Sequence, residues 1–239
     1  MALQHQKIEL KGLFRYSSNK WNKALLEKGS IRVGTLYDYR KAEHKAGITD
    51  AYEGLKAVSH TISQWSSLEE VADSPSIHSR AIAALGLKDD VDKLLAANPN
   101  GVTFENVEIE LRCNYPNVYI HCTSMALCDA VMAEFEGAQS CVEIFDIKGF
   151  YRALTTEINK FTKVQPRGIN LVRYQDRNEV FNGLDLGVPP CWVKGKDFEG
   201  QFEVRAVWLP LDEGPIEPLF LEVPELADYC RPVRVTCSA

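Results

Sequence analysis

Hydrophobic positions recur along this chain at two periods. Leu13-Phe-Arg-Tyr16 reads as a short strand, and Ser17-Ser-Asn19 then offers N-cap side chains to a helix closed by Gly29. Within that helix Trp21, Ala24, Leu25 and Lys28 follow at helical spacing, and Ile31-Arg-Val-Gly-Thr-Leu36 alternates as a second strand. From Ser66 to Asn100 the pattern turns helical, through Ser67 to Val71, Ile77 to Leu85 with Gly86 behind it, and Asp90 to Leu95. This predicts a helical insertion over about 66–100.

After the insertion Val107, Ile109 and Leu111 alternate with acids, Asn114-Tyr-Pro-Asn117 turns the chain, and Val118 to Thr123 returns, which predicts a hairpin. A helix over Ala126 to Glu136, an apolar strand Cys141 to Phe145, a basic helix and the strand Ile169 to Tyr174 follow. Strands around Phe202 to Leu209, Leu219 to Val223 and Val233 to Thr236 close the chain. Helices are inserted among strands rather than alternating with them, so the pattern predicts an α+β fold with a mixed sheet. With no linker or repeat, residues 1–239 read as one domain.

The 239 residues are 45% hydrophobic and 25% charged, the composition of a globular chain that needs no staples. No apolar run approaches the roughly 18 residues of a membrane span, and the start Met1-Ala-Leu-Gln-His-Gln lacks signal-peptide character. The expectation is a cytoplasmic protein with no membrane partner. Seven cysteines, odd in number and without a Cys-x-x-Cys pair, suggest reduced thiols and no metal site. His121-Cys122 supplies the residue types of a cysteine hydrolase, but neighbouring strand positions point to opposite faces, which argues against that chemistry.

The net charge of −6 conceals an asymmetry: residues 148–177 carry +5, leaving −11 elsewhere. Phe150, Tyr151, Phe161 and Tyr174 are interleaved with those bases, as stacking on nucleic acid requires, although a solvated helix face above core aromatics has the same composition. Neither Gly-x-Gly-x-x-Gly nor Gly-x4-Gly-Lys-Ser/Thr occurs, which excludes the Rossmann and P-loop modes of nucleotide binding.

Four short stretches can carry chemistry. Gln201-Phe-Glu-Val-Arg205 alternates so that Gln201, Glu203 and Arg205 share one strand face, with Phe202, Val204 and Ala206 on the core side. A carboxylate there can bind a ribose hydroxyl and offset positive charge developing on the sugar, or it can belong to an ordinary exposed Glu-Arg pair. Arg15, at the end of the first strand, suits a phosphate clamp or a surface ion pair. Asp50 and Glu53 have capping-box spacing, and Thr123-Ser124 offer hydroxyls at a strand end, for ribose, phosphate or the cap of the next helix.

Taken in order, these pieces resemble a bacterial and phage domain family of unknown function. Its landmarks are matched by Phe14-Arg15-Tyr16, Asp50 to Glu53, Cys122-Thr123-Ser124, Val131 to Phe135, Cys141 to Asp146, Val172-Arg-Tyr174 and Gln201-Phe-Glu203-Val-Arg205. Thr123 stands where that family has Phe, Gln201 where it has Glu, and the usual Asn-Asp-Pro is absent. The arrangement in turn resembles the ADP-ribosyltransferase superfamily, which binds NAD without a Rossmann motif.

That resemblance implies an ADP-ribosyltransferase-like fold and transfer of ADP-ribose from NAD, with Glu203 and Gln201 as catalytic residues. Arg15, Ser124 and an aromatic at Tyr37 or Tyr39 would then hold the cofactor. It also implies a toxin or phage-defence effector, such as the mRNA-modifying CmdT type, with an antitoxin protein as a partner. The basic stretch favours nucleic acid over protein as acceptor. The alternative of another class is a non-catalytic module that binds a phage or host protein.

Overall fold

The computed structural model describes residues 11–41, 47–70 and 74–235, so Val71 and Thr236 lie outside the described residues. In chain order the elements are β1 (Leu13–Ser17), α1 (Asn19–Lys28), β2 (Ser30–Thr35), β3 (Leu55–Ser66), α2 (Ile77–Ala84), α3 (Lys88–Ala97), β4 (Thr103–Asn114) and β5 (Tyr119–Ser124). These are followed by α4 (Asp129–Ala133), β6 (Ser140–Ile144), α5 (Ile147–Phe161), β7 (Val164–Leu171), β8 (Arg173–Tyr174) and β9 (Asn178–Val180). The last four strands are β10 (Val193–Lys194), β11 (Glu203–Pro210), β12 (Leu219–Glu222) and β13 (Cys230–Val233). The fold is mixed α+β, and its long strand pairings are antiparallel.

The chain packs as two compact units. The first comprises residues 1–53, 116–174 and 196–239, and the second 54–115 and 175–195.

In the first unit an eight-stranded sheet has the order β12-β2-β5-β1-β6-β13, with β11 between β5 and β7. Val204, Ala206 and Trp208 of β11 alternate into a core shared with Leu13, Tyr119, Val142 and Ile144. Helix α5 closes that core with Phe150, Leu154 and Ile158, a stripe at four-residue spacing. Asp146 starts α5 by accepting the Gly149 N–H at 2.9 Å. Gly29 ends α1 with φ +65, and a β-carbon there would lie 1.8 Å from the Val223 carbonyl oxygen, so only glycine fits.

The second unit is a three-stranded sheet, β4-β3-β9, whose apolar face is covered by the helices of the expected insertion, α2 and α3. Val58 and Phe181 pack on Ala81 and Leu85, and Ile62 and Trp65 pack on Ile82.

Three sequence expectations are corrected here. The stretch from Val107 to Thr123 is not a hairpin: β4 pairs along its length with β3, while β5 pairs with β11, β1 and β2 of the other unit's own sheet. The helix expected over Ala126 to Glu136 shortens to α4, Asp129–Ala133. The Asp50 to Glu53 stretch is a turn rather than a helix start; Asp50 accepts the Tyr52 N–H at 3.1 Å, and its carbonyl accepts that of Glu53.

Candidate active site

Strand β5 organises the first unit. Along one edge it pairs with β11, placing Ser124 opposite Glu203 and Cys122 opposite Arg205. Directly opposed antiparallel residues share a face, so Glu203, Arg205, Ser124 and Cys122 lie on one side of the sheet and His121, Thr123, Val204 and Ala206 on the other. Along its other edge β5 pairs with β2 at Tyr119 and Ile120 and with β1 only at Ser124. The strands β1 and β2 therefore part over the middle of β5 and leave a wedge.

A pocket of about 460 Å³ is lined by Arg15, Trp21, Ser30, Ile31, Arg32, Phe220, Leu221 and Glu222, from β1, α1, β2 and β12; Ser124, Glu203 and Tyr39 are not among its lining residues. The Arg15 guanidinium donates to the Asn22 side-chain oxygen. Asn22 is itself buried and fixed by its amide, which donates at 3.0 Å to both the carbonyl and the hydroxyl of Ser140. Among the described residues no carboxylate pairs with Arg15. Burial pushes its pKa down to about 10, against the opposing influence of Cys230 and Tyr39. A desolvated cation whose fixed partner is a neutral amide favours an anion in the adjacent pocket.

Arg32 pairs with Asp38, and its guanidinium lies 5.9 Å from the ring centroids of both Tyr39 and Phe220. Tyr39 sits against Gly34, where a β-carbon would come within 2.6 Å of its hydroxyl. Burial, then Cys122, pushes the Tyr39 phenol well above its ordinary pKa, with a smaller contribution from Glu203 in the same direction.

The carboxylate end of the site is a buried ionic chain. Arg205 donates from Nη1 and Nη2 to the two oxygens of Glu53 at 2.7 and 2.9 Å, and from Nε to Glu203 Oε1 at 2.6 Å. Burial works against the charge of Arg205, yet Glu203 and Glu53 outweigh it and hold the guanidinium well above its ordinary pKa. The Glu203 N–H donates to the Tyr174 phenol oxygen at 2.7 Å, and the Glu203 carbonyl accepts the Val172 N–H at 2.9 Å.

The structure thus brings Ser124 and Glu203 together, with Tyr39 in electrostatic reach. It does not bring Arg15 onto their face: Phe14 is the residue opposite Ser124, so Arg15 points to the other side, toward α1 and the wedge. Tyr37 is engaged elsewhere, its ring 4.1 Å from the Arg40 guanidinium and its N–H on Asn117.

Gln201 is not on the strand. It ends a 3-10 turn, Lys196–Gln201, and its amide donates to the Gly47 carbonyl at 2.7 Å. Phe202 then takes a left-handed φ of +46, which breaks the alternation and turns its ring out, 47% exposed, rather than onto the core. The adjacent pair His121-Cys122 is divided between the two faces, as strand geometry requires: His121 packs on Phe150 and Tyr151 while Cys122 faces Arg205's side. Sequence reasoning missed Glu53 as the partner of Arg205, and missed Asn22, Arg32 and Tyr174. The one signal available for Glu53 is its place in the turn already singled out.

No family model matches the chain, and the searches of curated proteins and of solved structures return no significant match. Among the described residues no helix is long and apolar enough to cross a membrane.

Proposed function

We propose that this protein transfers ADP-ribose from NAD to a nucleic acid, on a sheet of ADP-ribosyltransferase type. The observation that carries the proposal is the register that sets Ser124 directly opposite Glu203 beside the parting of β1 and β2. The fit of the residues to NAD rests on Arg15: it is a desolvated cation that borders a pocket with apolar and aromatic walls, and no carboxylate among the described residues neutralises it. In this reading Tyr39 and Ser124 border the nicotinamide ribose, and Arg15, which lies on the other face of the sheet, reaches the pyrophosphate through the parting of β1 and β2.

When bound, NAD supplies an electrophilic ribose carbon whose leaving group is nicotinamide. Glu203 contributes fixed negative charge where the sugar becomes positive, and Arg205 holds that carboxylate in one orientation through Nε. Gln201, anchored to Gly47, fixes the turn that delivers Glu203 to the strand, a positioning role in place of the catalytic role the resemblance implies. Exposed Lys163, Arg167 and Arg173 favour a nucleic acid as acceptor. A toxin or phage-defence role with a protein antitoxin accompanies the same reading.

One observation favours a second reading, a non-catalytic binding module: Glu203 is only 4% exposed and is bonded to Arg205, as a structural carboxylate would be. Incubating the protein with NAD labelled in the adenine and in the nicotinamide ring separates the two. Release of nicotinamide, with adenine label passing to RNA or DNA, is expected from the enzyme, and neither from the module.

A further inference from the structure

We infer that Phe202 is a stacking platform for a base of single-stranded nucleic acid, set beside Ser124 and Glu203. A bulky residue at positive φ is an outlier that the surrounding structure must hold against its own backbone preference. Here packing of the ring does not offset that preference, because the ring is 47% exposed. The backbone, by contrast, is firmly held: the Phe202 N–H donates to the Glu199 carbonyl at 3.3 Å, and the Phe202 carbonyl accepts from the Met125 N–H at 2.9 Å and the Ser124 hydroxyl at 3.4 Å. The fold maintains a left-handed turn whose effect is to throw an aromatic ring outward next to the candidate reaction centre.

The surroundings select the ligand class. Met125, on the turn bonded to Phe202, is exposed as well. Val172 bonds to the Glu203 carbonyl, and the next residue, Arg173, is exposed. Arg167 is exposed on β7, which among the described residues pairs with β11 alone. Neither arginine has a carboxylate partner among the described residues. An open aromatic face with Arg173 beside it, and Arg167 farther along β7 at the bulge opposite Val207, is what a single strand engages, the ring taking a base and the arginines successive phosphates, although Glu199 in the same turn is exposed as well. Two exposed apolar side chains are too small a patch for an apolar protein partner. The platform takes its consequence, choice of acceptor, from the transferase reading, but its test does not require transfer.

The test measures binding of fluorescein-labelled, mixed-sequence single-stranded RNA and DNA oligonucleotides to the full chain by anisotropy at low salt. Phe202→Gly removes the ring and relieves the strained φ, so binding should weaken about 5- to 150-fold, the range one base on one aromatic carries. The melting midpoint should stay level or rise, since glycine adopts that φ without cost. Phe202→Trp should keep the affinity, and Arg173→Glu should flatten the salt dependence.

Wild-type protein that binds neither strand, or Phe202→Gly that binds as wild type does, overturns the platform. So does a Phe202→Gly protein that loses binding only together with several degrees of melting midpoint, with Phe202→Trp equally defective. Wild-type protein that binds through Phe202 yet releases no nicotinamide from NAD removes the transferase reading and leaves the platform standing.

Discussion

Arg205 grips Glu53 across 152 residues of sequence, through two parallel hydrogen bonds of 2.7 and 2.9 Å between side chains that are both 2% exposed. Such a fork-to-fork pair fixes the turn after Asp50 to the strand that carries Glu203. Removing the cation alone leaves Glu53 and Glu203 buried without it, and breaking a buried pair in this way costs about 3–5 kcal/mol. Arg205→Met should therefore lose that much in urea unfolding. The double variant Glu53→Gln, Arg205→Met should recover part of it, because it buries one carboxylate fewer. An Arg205→Met protein as stable as wild type would show that the ionic chain is not structural.

NAD should raise the melting midpoint. A ligand that binds only the folded state adds RT ln(1 + [L]/Kd), about 2.7 kcal/mol at 100 Kd. Arg15→Ala should abolish most of the shift. Asn22→Ala should weaken it, since Asn22 holds the guanidinium in place from its own anchor on Ser140. A differential scanning fluorimetry titration at millimolar NAD decides the matter; a folded wild-type protein with no shift would count against NAD as cofactor.

Stability should fall in mild acid through His121. This imidazole is buried between β5 and α5, where its Nδ1 lies 3.1 Å from the Tyr151 hydroxyl, and its Nε2 has no hydrogen-bond partner. Burial, then the charge of Arg15, pushes its pKa down to about 3. The unfolded chain thus binds a proton near its ordinary value of about 6.5 that the folded chain refuses. The contribution is present in full above about pH 6.5 and is lost as pH falls from there toward 3, at up to about 1.4 kcal/mol per pH unit. His121→Asn, which still offers an acceptor to Tyr151, should lower stability at pH 7 but flatten the acid limb. An unchanged slope between pH 6 and 4 would place the titration elsewhere, with His60, whose pKa burial and then His78 lower, the next candidate.

How far the sequence reveals this fold depends on how purely hydrophobic each pattern is. Helix α5 and strands β2 and β11 keep apolar residues at every core position, and their periods are legible. Strand β3 was invisible because two of its inward positions are polar: Lys56, bonded at 2.7 Å to Glu179, and His60, at 2.9 Å from His78. The false hairpin has the opposite cause. Strands β4 and β5 are adjacent in sequence and each alternates properly, but local pattern carries no record that they enter different compact units. At the site, the Glu203 and Arg205 alternation is real, and reading it back one step to Gln201 fails because nothing in the residue type Phe announces the left-handed φ at 202. The Glu53 pairing is a tertiary event with no short-range signal at all.

Glu203→Gln should abolish transfer while leaving the fold close to intact. The register fixes the side chain's place, opposite Ser124 and on the face of Arg205, and a glutamine of the same shape can still accept the Arg205 Nε–H. Arg205 does not lose its counter-ion, because Glu53 still holds it with both oxygens; the buried chain of two carboxylates and one guanidinium becomes a neutral pair beside an amide. Its melting midpoint should accordingly remain within a few degrees of wild type. What disappears is the fixed negative charge beside the ribose, and one preorganised electrostatic contact of this kind is worth about 2.7–4 kcal/mol, or roughly 100- to 1000-fold in rate. Gln201→Ala should act differently, loosening the turn at Gly47 and lowering stability together with rate, since its amide bond at 2.7 Å is structural. Nicotinamide release measured on both variants, alongside their melting curves, separates charge from scaffold. A Glu203→Gln protein that melts normally and cleaves NAD at the wild-type rate would remove Glu203 from the chemistry and put the binding module in its place.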